Sequence, residues 1–171
     1  MDPENILKGK IAEVLVEELL RESKNKVYRF GNGEILQNLI QSEKSFNRES
    51  RTGKKISSIP DFVIITKEKK SLFLEVKFRT DPEALEEELL LEKEFLERFW
   101  KAKIVLVTSK EKPYFRVLTP PYFVKEKREG WPIPVLNWLP LEDDPELKVK
   151  SKILKKFEKL VEKYYQILYK V

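Results

Sequence analysis

Two short apolar, β-favouring runs, Phe62–Ile65 and 72–76, flank a polar break at 67–70, and no other feature constrains the chain as much. Such runs read as an antiparallel hairpin with both strands largely buried. Into this setting the sequence places Asp61, Glu75 and Lys77. Charged side chains are rarely fully buried unless paired or bound to a metal. With 67–69 as the loop, Thr66 faces Lys70 and Asp61 falls opposite Glu75. The two-residue strand period then puts Lys77 on the same face. A loop of two or four residues breaks this register unless a bulge restores it.

Two carboxylates meeting at one end of a hairpin repel each other, and a divalent cation resolves the conflict. Hard cations such as Mg²⁺ take one or two carboxylates, waters and substrate phosphate oxygens. Lys77 would point at the same phosphate or at the attacking water, an arrangement suited to metal-assisted phosphodiester hydrolysis. Pro60-Asp61, a spacer and Glu75-Val76-Lys77 resemble the signature of the PD-(D/E)XK nuclease superfamily, the restriction-endonuclease-like fold. The other reading is an ordinary ion pair of Glu75 with Lys77, or of Lys77 with Asp61, at the edge of a hairpin.

The resemblance implies Mg²⁺ or Mn²⁺ held by Asp61, Glu75 and the Val76 carbonyl. It also reaches the first helix, where many such nucleases carry an acidic residue that joins the metal site. Gly9, Ala12 and Glu13 follow that G-x-x-x-A-E pattern, making Glu13 a candidate ligand; a solvated helix charge is the alternative. The order of elements also resembles archaeal-type Holliday junction resolvases, in which a polar Gly-rich turn after the first strand faces DNA. Here the turn reads Gly31-Asn32-Gly33-Glu34, without the serine of that pattern, which makes Asn32 the candidate DNA contact.

Composition narrows the chemistry from the other side. The 171 residues contain no Cys and no His, which excludes disulfides, Cys or His zinc sites, thiol nucleophiles and Ser-His dyads. Any acid or base is Asp, Glu, Lys, Tyr or water, which favours a carboxylate-bound hard cation in an enzyme. Charged residues make up 37%, mostly Lys and Glu, a pattern met in thermophile proteins. The net charge of +5 is compatible with a polyanionic partner. Without a long apolar run or a signal pattern, the expectation is a soluble, cytoplasmic protein with no membrane partner.

In chain order, 4–22 reads as a helix with Ala12, Leu15, Val16, Leu19 and Leu20 on one face, and 26–30 as the first strand. Ile35, Leu36, Leu39 and Ile40 suit a short helix. Lys44, Arg48, Arg51, Lys54 and Lys55 follow in a polar stretch, read either as a mobile basic loop gripping phosphates or as a solvated loop. Arg79 ends the second hairpin strand and could pair with a phosphate. Asp81 and Pro82 open a helix running to about residue 100. Its apolar positions are Leu85, Leu89, Phe95, Leu96 and Phe99. Its many Glu residues, among them Glu88 and Glu92, are read as a solvated outer face. Residues 103–108 form a buried strand brought beside the hairpin in parallel by that helix, and 114–118 a fifth strand.

Six prolines in 120–145 argue against long regular elements there; the aromatics between them would pack over the core or stack on unpaired bases. Residues 146–170 read as a helix with an apolar seam of Ile153, Phe157, Leu160, Tyr164, Ile167 and Val171. That seam would dock on its own domain, pair two copies or lie along DNA.

The chain is therefore expected to be a single α/β (α+β) domain over 1–171. It would have a mixed central sheet flanked by helices, a core over 4–119 and a C-terminal helix. The expected function is a metal-dependent DNA nuclease acting as a homodimer, with RNA not excluded as substrate. Residues 120–171 would supply much of the dimer interface, and Arg48, Arg51, Lys54, Lys55, Arg79 and Asn32 would contact nucleic acid. The alternative is a nucleic-acid-binding or assembly module that keeps the fold without the chemistry.

Overall fold

Strand propensity and burial build the centre of the molecule. The structure is a computed structural model and describes residues 3–31, 47, 49–82 and 85–168. β1 (Lys26–Arg29), β2 (Phe62–Ile65), β3 (Ser71–Phe78), β4 (Lys103–Val107), β5 (Phe115–Arg128) and β6 (Trp131–Pro140) form one sheet in the order β1-β2-β3-β4-β5-β6. Only β3 and β4 pair in parallel, Glu75 beside Ile104 and Lys77 beside Leu106; the other neighbours are antiparallel.

The β2–β3 hairpin has the expected register. Phe62 pairs with Leu74 and Ile65 with Ser71. Thr66 N–H donates to Lys70 C=O at 2.9 Å, and Lys69 closes the three-residue loop at a φ of 63°.

Helices cover both faces of the sheet. α1 (Pro3–Glu22) buries Ala12, Leu15, Val16, Leu19 and Leu20, the predicted stripe, in the larger core with Leu74, Val76, Val105 and Val107. α4 (Ser151–Leu168) joins the same core. On the opposite face, α3 (Leu85–Lys93) continues as a π-helix over Glu94–Phe99. Leu85, Leu89 and Leu96 pack there against Ile104, Leu106, Leu118 and Tyr122. The expected single α-helix to residue 100 is thus two helix types, and Phe99 is 50% exposed instead of inward.

Two further expectations are corrected. The described part of the basic stretch is not a loop: 51–57 is a short helix, α2 (Arg51–Ser57), whose cap Ser50 Oγ accepts from Gly53 N–H at 3.0 Å. Lys44 and Arg48, the helix expected over 35–40 and the turn residues Asn32, Gly33 and Glu34 lie outside the described residues. The proline-rich segment holds two long strands, because Pro120 and Pro121 fall where the β5–β6 register is interrupted, between Leu118 and Phe123, and because β6 is an edge. Pro132, Pro134 and Pro140 occupy alternate positions of it, where a backbone N–H faces away from the partner strand. Glu129 and Gly130, both at positive φ, make the two-residue turn into β6.

In α4 the buried line is Leu154, Phe157, Val161 and Tyr165, offset from the expected seam. Phe157 is internal, and Ile153 and Leu160 pack half-buried on the same core. Tyr164 and Ile167 remain exposed, and Val171 lies outside the described residues. Three of the five described seam residues, Ile153, Phe157 and Leu160, thus pack on the chain's own core.

Candidate active site

β2 begins one residue after Asp61, and there its side chain takes over from the ladder. Asp61 Oδ2 accepts a hydrogen bond from Val76 N–H at 2.8 Å, capping β3 where β2 has not yet started. The Asp61 carbonyl accepts from Phe30 N–H at 2.8 Å and Gly31 N–H at 3.1 Å, which ties the same residue to the end of β1. Glu75 and Lys77 follow on the α3 face of β3, and their side chains meet at 3.1 Å.

These residues line a cleft of about 580 Å³ together with Gly9, Lys10 and Glu13 of α1 and with Arg79 and Glu88. Glu13 is held by Lys10, whose ammonium lies 2.8 Å from both carboxylate oxygens, and by Arg29 at 3.9 Å. Gly9 leaves open space where a side chain would begin. The fold thus brings together every candidate catalytic residue read from the sequence.

The electrostatics follow from the geometry. Burial pushes the Asp61 carboxyl up to about 6, against the Val76 hydrogen bond, and the charge of Glu13 adds to the rise. Burial and the neighbouring Asp61 push Glu75 up to about 8. For Lys77, burial works against the charge, but Glu75 and Glu92 outweigh it and hold the ammonium above its ordinary value.

Two participants escaped the sequence reading. Lys77 Nζ lies 3.0 Å from Glu88 and 3.1 Å from Glu92, so three carboxylates surround it. Glu88 and Glu92 come from the helix face read as solvated. The signal was there: Leu85, Leu89, Glu92 and Leu96 follow the 4-3-4 spacing of one inward stripe. A carboxylate on that stripe had to find a cation.

The predicted nucleic-acid contacts divide. Arg79 lies just past β3 in the cleft, donating to Phe78 C=O at 2.6 Å and pairing with Glu88. Arg51, Lys54 and Lys55 sit apart on α2: Arg51 is 3.7 Å from Glu94, Lys54 is 3.4 Å from Glu49, and Lys55 Nζ lies 3.8 Å from the centre of the Phe99 ring.

The donor set suits a hard cation, since Asp61, Glu75 and the Val76 carbonyl offer only oxygen. Among the described residues, however, no three carboxylates are drawn together as a cluster able to hold a metal ion by itself. Waters would complete the shell, as is usual for Mg²⁺. Among the described residues no helix is long and apolar enough to cross a membrane. Set against protein-family models, curated proteins and solved structures, the chain matches none of them.

Proposed function

We propose that this chain is a metal-dependent nuclease hydrolysing phosphodiester bonds of DNA, of the PD-(D/E)XK kind, on a restriction-endonuclease-like fold. The observation that carries the reading is the meeting of Asp61, Glu75 and Lys77 at the open end of one hairpin, in a cleft that Glu13 also reaches. A Mg²⁺ or Mn²⁺ held by Asp61, Glu75 and the Val76 carbonyl would supply charge for the phosphate oxygens and acidify a bound water. Lys77, whose charge Glu75 and Glu92 favour, acts as an ammonium that donates hydrogen bonds to orient the water or a phosphate oxygen, and not as the base. Glu13 accepts from water at the α1 side, and Arg79 binds a flanking phosphate after leaving Glu88. A homodimer in the cytoplasm, with one site for each strand of DNA, belongs to the same proposal.

One observation favours a second reading, a DNA-binding module without chemistry: Lys77 is occupied by Glu75, Glu88 and Glu92. A cleavage panel separates the two. Pure protein with Mg²⁺ or Mn²⁺ is offered single-stranded, duplex, flapped and junction DNA. Cleavage of at least one substrate is expected, falling at least about a hundredfold in Asp61→Ala and Lys77→Ala. An intact panel, with DNA binding unchanged in Asp61→Ala and no heat on Mg²⁺ titration, would install the second reading.

A further inference from the structure

A groove of about 810 Å³ runs between α2 and the π-helical end of α3, away from the carboxylates of the cleft. Arg51 and Lys55 line it from one side, and Lys93 and Arg98 from the other. Among the described residues that line it Glu94 is the one acid, and Arg51 meets it only loosely, at 3.7 Å. Over the whole chain 34 basic residues face 29 acidic ones, so four to one among the groove's described residues is a local departure. Arg98 has no ion-pair partner among the described residues.

The groove is also apolar where a solvated surface would not be. Leu91 is 86% exposed and Phe99 50% exposed, and both line it. The π-helix is responsible for part of this. Trp100 N–H donates to Phe95 C=O at 2.8 Å, a bond five residues back, and the widened turn leaves Phe99 on the outside. π-Helical turns are rare and concentrate at functional sites. Lys55 sits over the Phe99 ring at 3.8 Å, so a cation and an aromatic face are presented together. A second, smaller cavity shares Leu91 and Phe95 with the groove and reaches Glu92, which contacts Lys77.

We propose that this groove binds single-stranded nucleic acid, the cations taking phosphates and Phe99 stacking on a base. Choosing a nucleic acid over another polyanion rests on the nuclease reading; choosing a single strand rests on the groove. Unpaired bases expose their π faces, whereas a duplex hides them, and a basic track with aromatics is the usual way of holding such strands. The reading extends the nucleic-acid surface from Arg51 and Lys55 to Lys93, Arg98 and Phe99.

The test needs no catalysis. A fluorescein-labelled thymidine oligonucleotide of about 20 nucleotides is titrated with the full chain in EDTA at several salt concentrations, beside a duplex of equal length. Single-strand binding is expected to be the tighter. Lys55→Glu with Arg98→Glu, both exposed, should weaken it more than tenfold and flatten the log–log salt slope by about 1.4, two phosphate contacts' worth. Phe99→Ala should weaken it about fivefold. A chain that binds the oligonucleotide but never cleaves removes the nuclease reading and keeps the groove. Equal or tighter duplex binding would overturn the proposal. So would affinity indifferent to the groove variants, or poly-glutamate competing as well as the oligonucleotide.

Discussion

Asp61 accepts the Val76 N–H of β3 and faces the cleft as a charge, and the two roles conflict. Its folded pKa of about 6 and that of Glu75, about 8, lie above the ordinary carboxylate values of 3.8 and 4.5. The folded state therefore holds these protons more tightly than the unfolded chain. Their contribution to stability is whole below about pH 4 and is lost as pH rises through 6 and then 8. Asp61→Asn keeps an acceptor for Val76 and removes the charge. In EDTA it should stabilise the chain by on the order of 2 kcal/mol at pH 8 and leave it unchanged near pH 4, read by urea unfolding. Equal effects at the two pH values would show that the charge is not what strains the site. For the same reason Mg²⁺ binding should strengthen between pH 6 and 8 and release protons, seen by calorimetry in buffers of different ionisation enthalpy. A pH-independent affinity would remove Asp61 and Glu75 as ligands. At this scale the sequence was most legible where arithmetic applies, since a three-residue loop puts Asp61, Glu75 and Lys77 together. It was least legible at Glu88 and Glu92: Glu92 looks like its solvated neighbours until the stripe of Leu85, Leu89 and Leu96 is drawn through it, and Glu88 stands one position off that stripe.

Among the elements, α1, β2, β3 and β4 could be read directly, α1 from its helical stripe and the strands from short apolar runs. β5 and β6 could not. A proline is tolerated where a ladder is interrupted, as at Pro120 and Pro121 in β5, or at alternate positions of an outer strand, and neither the interruption nor the sheet order is written in local sequence. α4 misled in another way, because its apolar residues support two adjacent stripes and only the facing core selects Leu154, Phe157, Val161 and Tyr165. Phe157→Ala should accordingly cost about 3–4 kcal/mol of folding stability, while Ile167→Lys should stay within about 0.5 kcal/mol; denaturant midpoints decide. If Phe157→Ala instead halved the sedimenting mass of a chain of wild-type stability, the seam would be an interface after all. The start of β4 depends on a buried ion pair. Lys103 Nζ lies 2.6 Å from Asp144, whose other oxygen accepts from Glu146 and Leu147 N–H. Lys103→Met strands that carboxylate and should cost about 3–5 kcal/mol.

For the whole molecule, the two faces of the sheet are unequal. The α1 and α4 side carries the larger core, and the α3 side, which holds Glu75 and Lys77, the smaller. Local opening follows packing, so amides of α3 should exchange with deuterium faster than those of α1 and α4 in mass spectrometry. The reverse order would mean that the Lys77 ion pairs hold α3 more firmly than its leucines do. The sheet's two margins also differ. β1 ends it with ordinary residues, four of them, Lys26 to Arg29. β6 ends it with three ring nitrogens that have no hydrogen to give. Another molecule arriving in extended form finds a template missing the donors it would need, so recruitment strand by strand stops at that border. Clumping on heating should then begin at β1, and exchanging Pro132 and Pro134 for Thr should open the second border and lower the temperature at which light scattering rises.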